Sequence, residues 1–460
     1  MNMDESIQIH FLGASGTVTG SKYLIELPQK KILVDCGLFQ GVKKLRGLNW
    51  QQLPVNAEEI DIVLITHGHL DHTGYLPRLV NMGFSGEIWG TAPTLDIAEI
   101  ILRDSAKIQE EDAERSNKEG FTKHHPALPL YNTLDVEKTL PLFREKPEGE
   151  WLIIDNEIKV RFQYNGHILG ACYIELELKN KRMVFSGDVG RIKDPLLNDP
   201  KKPEQADILF LESTYGDRLH PKEDVLDKLE RVIHDTVQKN GTLIIPSFAV
   251  ERAQLLMYLI LQLHQQKKLP ASLPVILDSP MGANALSIFN KYHKWHKLSE
   301  EECQKMIDRV HIVKSYAETW EIIDNPKPKI VIAGSGMVTG GRVLSYLKIY
   351  LSREETTVLL AGFQAEGTRG RQLLEGADEI KFFGKYYPVK ASIDILDGLS
   401  AHADREELID WTSNLSKSPD HLFLVHGEPQ ALDSFRVKLK DTKGWMAEIP
   451  ELYEIRKIKY

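Results

Sequence analysis

The sequence predicts an α/β protein in two parts: a sandwich of strands with functional loops at their ends, interrupted by an inserted block built on a parallel sheet. Three observations predict it. Histidine and aspartate recur just after short apolar, β-branched runs, at residues 67, 167, 188 and 426. Between residues 208 and 390, continuous apolar runs alternate with helical patterns, the rhythm of a parallel sheet covered on both faces. The chain has 460 residues, more than one ordinary core accommodates.

Taken in order, residues 7–12 read as a strand, and residues 23–27 and 31–35 as two more joined by a turn containing Pro28, an antiparallel start. The glycine-rich stretch 13–21 reads as a tight turn rather than a phosphate cradle, because no helix start follows it. Residues 60–66 form a buried strand that runs into His67-Gly68-His69-Leu70-Asp71-His72. Residues 75–82 and 93–120 carry helical patterns, and the charged stretch 109–115 of the second reads as a solvated face or a lid. Strands return over residues 152–190: residues 160–164 lead to His167, and a hairpin turning at Lys179-Asn180-Lys181 ends in Gly187-Asp188. Residues 193–203, with three prolines, read as a linker. Five strand–loop units follow, the last running into Gly362 and Thr368-Arg369. Loops at the carboxyl ends of such strands form a binding crevice. The tail returns to the first pattern, with a strand over residues 421–425 ending in His426. The expected domains are therefore residues 1–207 and 391–460 as one unit, with residues 208–390 inserted.

Composition, 42% hydrophobic and 27% charged, is that of a globular protein. No apolar run approaches the roughly 20 residues that span a bilayer, so no membrane partner is expected. The acidic start Met1-Asn2-Met3-Asp4-Glu5 has no signal-peptide pattern. Three widely spaced cysteines suit a reducing compartment, and a cytoplasmic location is expected. A net charge of −9 argues against broad coating of nucleic acid but leaves room for a local basic groove.

The cluster at residues 67–72 carries the chemistry. Imidazole and carboxylate suit zinc or a similar divalent ion, and no thiolate lies nearby. His67 and His69 alternate and can face one point; Asp71 and His72 can face a second. The pattern implies two metals.

His-x-His-x-Asp-His resembles the signature of the metallo-β-lactamase superfamily. Glu212-Ser213-Thr214-Tyr215-Gly216, Ser400-Ala401-His402-Ala403-Asp404 and Val425-His426-Gly427-Glu428 resemble marks of its nucleic-acid-processing β-CASP branch. Within that branch the chain is most similar to the endonuclease subunit of the pre-mRNA 3′-end cleavage factor and its short prokaryotic relatives. The resemblance implies an αββα sandwich with an inserted β-CASP domain of parallel-sheet α/β type. It implies one zinc held by His67, His69 and His167, a second held by Asp71, His72 and His426, and Asp188 bridging both; manganese is an alternative occupant. Asp35 matches the first acidic motif and would orient a ligand.

Two ions about 3.5–4 Å apart can share a hydroxide for attack on phosphorus. The resemblance implies His402 as the general acid for the leaving ribose oxygen, with Glu212 fixing its tautomer. Ser247, Arg252, Ser335, Gly336, Thr368 and Arg369 sit in or beside the strand-end loops of the inserted block, where they are placed to hold phosphates or to serve ordinary loop and helix-start roles. The implied activity is hydrolysis of single-stranded RNA, endonucleolytic or from the 5′ end, a flexible strand entering an enclosed site more readily than a duplex. Relatives pair as dimers, so a homodimer is an implied partner. A competing reading is a hydrolase of thioesters, lactones or lactams on the same metal core, for which Glu212 and His402 would be superfluous. A third is a scaffold that has lost its site; none of the seven ligand positions is missing.

Overall fold

The computed structural model describes residues 6–119, 126–179, 181–362 and 364–459. The chain divides into two compact units, Met1–Leu219 with Ala401–Tyr460, and His220–Ser400.

The first unit is a sandwich of two seven-stranded sheets. One has the order Ile455–Lys459, Ser6–Phe11, Tyr23–Glu26, Lys31–Val34, Ile62–Leu64, Glu87–Gly90, Phe143–Glu145. The other has the order Ala447–Glu448, His421–Val425, Ile208–Glu212, Lys181–Phe185, Cys172–Leu178, Ile158–Tyr164, Leu152–Ile153. Strand periodicity builds the layers. In Ile208–Glu212, Phe210 points into the sandwich, its ring 5.7 Å from Phe11 and 5.4 Å from Tyr23 of the facing sheet. Leu209 and Leu211 point the other way, into a cluster with Leu408, Trp411, Leu432 and Phe435 from the helices Arg405–Trp411 and Pro429–Lys443. On the opposite outer face, Val63 and Ile88 pack with Leu76, Leu102 and Val136 of three further helices. The result is the αββα arrangement.

The second unit holds a parallel six-stranded sheet in the order His311–Ile312, Val275–Asp278, Lys329–Ala333, Thr242–Pro246, Thr357–Leu360, Ser392–Ile395. A two-stranded hairpin, Glu379–Phe382 with Lys385–Pro388, accompanies it.

Both expected boundaries of the inserted block move. Ile208–Glu212 pairs in parallel with Lys181–Phe185 on one side and His421–Val425 on the other, so this strand belongs to the sandwich. Ser392–Ile395 pairs with Thr357–Leu360 and belongs to the inserted sheet. The expected linker at residues 193–203 is a packed part of the first unit. Leu196 and Leu197 are buried, Asp194 accepts from both of their backbone N–H groups, and the Trp411 indole donates to the Lys201 carbonyl at 2.8 Å.

The long helix is Ala92–Glu119, with Gly120 outside the described residues. In its charged part Glu111, Asp112, Glu114 and Arg115 are exposed, as a solvated face requires, while Glu110 accepts from Thr133 N–H and Oγ1 and Gln109 from Leu130 N–H. The 179–181 hairpin pairs as expected, although Asn180 and the acidic start at residues 1–5 lie outside the described residues. Among the described residues no helix is long and apolar enough to cross a membrane.

Candidate active site

Every proposed ligand sits in the first unit, on a loop or in a short helix that follows a buried strand. The strand Ile62–Leu64 delivers His67 and His69, and the short helix Leu70–Thr73 starts directly after His69. That helix is strapped to neighbouring backbone: Ser21 N–H donates to Asp71 O at 2.9 Å and Cys36 N–H to His72 O at 2.7 Å. The approach is so close that a Cβ on Gly37 would stand 1.5 Å from Asp71 O, which only glycine permits. Ile158–Tyr164 leads to His167, Lys181–Phe185 to Asp188, Ile208–Glu212 ends in Glu212, and His421–Val425 delivers His426.

Two clusters of donor atoms result. In the first, His69 Nδ1 lies 3.1 Å from His67 Nε2 and 3.3 Å from His167 Nε2. Asp188 Oδ2 closes it at 3.5 Å from His67 Nε2 and 3.4 Å from His167 Nε2. In the second, His426 Nε2 lies 3.2 Å from His72 Nε2 and 3.3 Å from Asp71 Oδ2. Asp188 Oδ1 faces this cluster, 3.4 Å from His72 Nε2. One carboxylate therefore presents one oxygen to each cluster.

The residues fit a pair of divalent ions. Donor atoms bound about 2.0–2.1 Å from one tetrahedral zinc stand about 3.3 Å from each other; the spacings given above match this, and only His72 Nε2 and Asp71 Oδ2 stand wider apart, at 3.9 Å. Asp188 Oδ1 is buried without a hydrogen-bond partner among the described residues. Neutral imidazole is the ligating form. Burial holds His67 and His167 well below the usual histidine range and brings His69 down to about 4. The histidine cluster outweighs burial to hold Asp188 well below the usual carboxylate range.

Neighbouring groups select the ring nitrogens. Asp35 Oδ2 lies 2.7 Å from His72 Nδ1, directing a proton to that nitrogen. Burial disfavours the charged form of this imidazole, but Asp188 and Asp35 outweigh it and hold His72 well above the usual histidine range, so a metal ion would take the place of the proton on Nε2. Asp35 is in turn held by Thr66, whose N–H donates at 2.8 Å and whose hydroxyl lies 2.9 Å from Oδ2. The same hydroxyl stands 3.1 Å from His67 Nδ1. Thr214 Oγ1 stands 3.2 Å from His426 Nδ1. Asn165 donates to the carbonyls of Ser186 and Asp188, each at 2.6 Å, and pins the loop that carries the shared carboxylate. Thr66, Asn165 and Thr214 carry no motif of their own in the sequence. Their signal was adjacency: each lies within two residues of a chemistry-bearing position.

His402 stands beside both clusters. Its Nδ1 is 3.2 Å from Glu212 Oε1 and 4.0 Å from Asp188 Oδ2. Burial disfavours its charged form, but Glu212 and Asp188 outweigh that and push its pKa up to about 9. Glu212 is fully buried and accepts from Val189 N–H at 2.8 Å and Thr214 N–H at 3.1 Å, which fixes the carboxylate.

The six expected substrate contacts all lie in the second unit and are placed unequally. Arg369 is occupied by backbone: its Nε donates to Lys381 O at 2.7 Å and its Nη1 to Thr339 O at 3.0 Å. Thr368 caps the helix Arg369–Leu374. Ser335 Oγ accepts from Thr339 and Gly340 N–H and closes its own loop. Ser247 Oγ donates to Phe248 O at 3.0 Å. Gly336 lies under the Phe248 ring. Of the six, Arg252 alone buries side-chain nitrogens, Nε and Nη1, that have no hydrogen-bond partner among the described residues.

A ribonuclease of Thermus thermophilus is 33% identical over 429 residues, covering 91% of this chain and 93% of its own. The chain belongs to the β-CASP branch of the metallo-β-lactamase superfamily. The Metallo-beta-lactamase superfamily profile matches residues 16–237, the Beta-Casp domain residues 253–373, and the Zn-dependent metallo-hydrolase RNA specificity domain residues 386–450. The transcription termination factor FttA of Methanocaldococcus jannaschii is 31% identical, over 92% of this β-CASP chain and 67% of its own. An RNase J-like protein of the same organism is 28% identical over 98% of both chains. A solved structure from Enterococcus faecalis V583, described as a protein of unknown function, aligns over 98% of this chain and 100% of its own. Its TM-score is 0.54 at 11% identity, a likeness of fold alone.

Proposed function

We propose that this β-CASP protein is a two-metal ribonuclease that hydrolyses phosphodiester bonds of single-stranded RNA, cutting internally and, as a second mode, from the 5′ end. The observation that carries the reading is the shared carboxylate: Asp188 turns Oδ2 to His67 and His167 and Oδ1 to His72, with the His402–Glu212 pair beside it. The relatives named as a ribonuclease and an RNase J-like protein support the substrate class. His67, His69 and His167 would hold one zinc, and Asp71, His72 and His426 the other. When bound, such ions supply Lewis-acid stabilisation of the phosphoryl charge and a water nucleophile at neutral pH.

The chain's own residues perform the remaining work. Glu212 holds His402 through Nδ1, so the proton to be delivered sits on Nε2. As the water oxygen bonds to phosphorus and the bond from phosphorus to the ribose oxygen breaks, His402 gives that proton to the leaving oxygen. Glu212 stabilises the imidazolium before transfer. Asp35 and Thr66 keep His72 and His67 in their ligating tautomers. A cytoplasmic setting accompanies the reading, supported by three buried free cysteines, Cys36, Cys172 and Cys303.

Circular single-stranded RNA tests the proposal. Metal-loaded wild type opens the circle, and His402→Ala opens it on the order of a hundredfold more slowly or worse while retaining its metal. Shortening of linear RNA with an intact circle would leave only the 5′ mode. No cleavage of either RNA at full metal occupancy, with hydrolysis of a thioester or lactone, would overturn the ribonuclease reading.

A further inference from the structure

The parallel sheet of the second unit has a point where its connections diverge. Thr242–Pro246 and Thr357–Leu360 are neighbours. From the first, the chain crosses to Val275–Asp278 on one side; from the second, it continues to Ser392–Ile395 on the other. Loops that part in opposite directions leave a crevice at the carboxyl ends of the strands, the usual ligand position in such sheets.

Two loops furnish that crevice. The loop after Pro246 brings Phe248, 40% exposed, and Arg252, 7% exposed. It reaches Arg252 through Glu251 at φ 64°, ψ −54°, with Arg252 N–H bonded to Val250 O at 2.8 Å. A side-chain-bearing residue in such a three-residue turn is strained. The loop after Leu360 brings Gly362 at φ 118° and Gln364, whose Nε2 lies 3.2 Å from Gly362 O and 3.2 Å from Gly336 O. The pieces are contiguous. A Cβ on Gly336 would stand 2.7 Å from the Phe248 ring, and one on Gly362 would stand 3.8 Å from Arg252 Nη2.

Arg252 makes this more than a loop. Its guanidinium is nine-tenths buried, forms no ion pair among the described residues, and has Nε and Nη1 without hydrogen-bond partners there. A buried guanidinium without a counter-charge is costly, and an anion in the crevice offsets that cost. Gly362, lacking a side chain, leaves the space beside the guanidinium open. Beside this charge stands an exposed aromatic ring resting on a glycine. A cation for a phosphate and a π face for a base are the two elements of single-strand recognition.

We infer that Phe248 and Arg252 form a single-nucleotide subsite for RNA, with one base stacked on Phe248 and an adjoining phosphate held by the Arg252 guanidinium. The inference rests on the ribonuclease reading and deepens it by assigning one nucleotide to one crevice of the inserted domain. Phe248 contributes to affinity without preference for base identity, since every base offers a π face.

The test is a scan of a short single-stranded RNA in which one nucleotide at a time is made abasic, with binding read by fluorescence anisotropy on the metal-loaded protein. Wild type loses about tenfold in affinity at one position. Phe248→Leu, which keeps apolar volume without a π face, binds intact RNA about tenfold more weakly and shows no penalty at that position, while Phe248→Tyr retains it. A methylphosphonate scan locates a neutralised phosphate, adjacent to that nucleotide, that weakens wild type but not Arg252→Gln. The melting temperature and far-ultraviolet circular dichroism of Phe248→Leu match wild type and control for folding. A flat abasic scan in wild type, or a penalty that persists in Phe248→Leu, overturns the subsite while RNA cleavage continues. Failure of wild type to bind or cut any RNA overturns the ribonuclease reading itself.

Discussion

Asp35 Oδ2 stands 2.7 Å from Nδ1 of His72, and both side chains are buried. Nothing else among the described residues fixes that ring as closely, since Thr66 Oγ1 is 3.4 Å from the same nitrogen. The carboxylate fixes the ring with Nε2 towards the donor cluster and raises its basicity. Asp35→Asn should lower metal affinity by about 10- to 100-fold, measured by competition with a chromogenic chelator. Unchanged affinity in a folded variant would remove Asp35 from the metal-site account.

Asp188 should be the one side chain whose loss empties both clusters, because each of its oxygens faces a different one. His167→Ala should release one ion per chain, and Asp188→Ala both, counted by elemental analysis after dialysis. Binding to the folded state alone stabilises it, by about 3 kcal/mol at a free metal concentration one hundred times Kd. Chelation should therefore lower the melting temperature of wild type and leave that of Asp188→Ala nearly unmoved. Equal metal content in the two variants would contradict a shared carboxylate.

The Glu212–His402 pair separates proton delivery from metal binding. Glu212→Gln keeps the shape but weakens the hold on the imidazolium, and His402→Ala removes the proton donor. Each should cut the rate on RNA by about 10²- to 10⁴-fold at constant metal content. Each should matter far less for a 4-nitrophenyl ester of phosphate, whose leaving group departs without a proton. Equal losses on both substrates would mean that the pair acts on the metals rather than on the leaving oxygen.

The local part of this site was legible because backbone connectivity encodes it. His67, His69, Asp71 and His72 fall within six residues after a strand, and their separation into two clusters follows from alternation and the turn. His167, Asp188, Glu212 and His426 were each visible as a polar residue ending an apolar run. What was not legible depends on which neighbour a strand chooses. Ile208–Glu212 is as apolar as the strands of the inserted sheet, and only its pairing with Lys181–Phe185 and His421–Val425 assigns it to the sandwich. Side-chain direction was equally hidden. Arg369 and Arg252 look alike in sequence, yet one is occupied by carbonyls and the other has nitrogens without a partner among the described residues.

Lys22 carries no sequence motif, yet its ammonium-bearing side chain is buried in the first unit, 1% exposed. Its ammonium donates to Gly20 O at 3.0 Å and Gly37 O at 2.6 Å, and lies 4.4 Å from the Phe39 ring centroid and 5.2 Å from that of Tyr75. No carboxylate pairs with it among the described residues, so burial lowers its pKa from 10.5 to about 8. The unfolded chain thus binds the proton more tightly, and between about pH 8 and 10.5 stability contributed by this group rises with pH. Below about pH 8 both states are protonated and the contribution is constant. Lys22→Met removes the titration, although it also leaves the two carbonyls without their donor. The stability of wild type relative to Lys22→Met, from urea unfolding, should therefore be flat from pH 6 to about 7.5 and then rise by up to about 3 kcal/mol towards pH 10.5. A parallel pair of pH curves would mean that Lys22 titrates like an exposed lysine and that its buried charge is compensated.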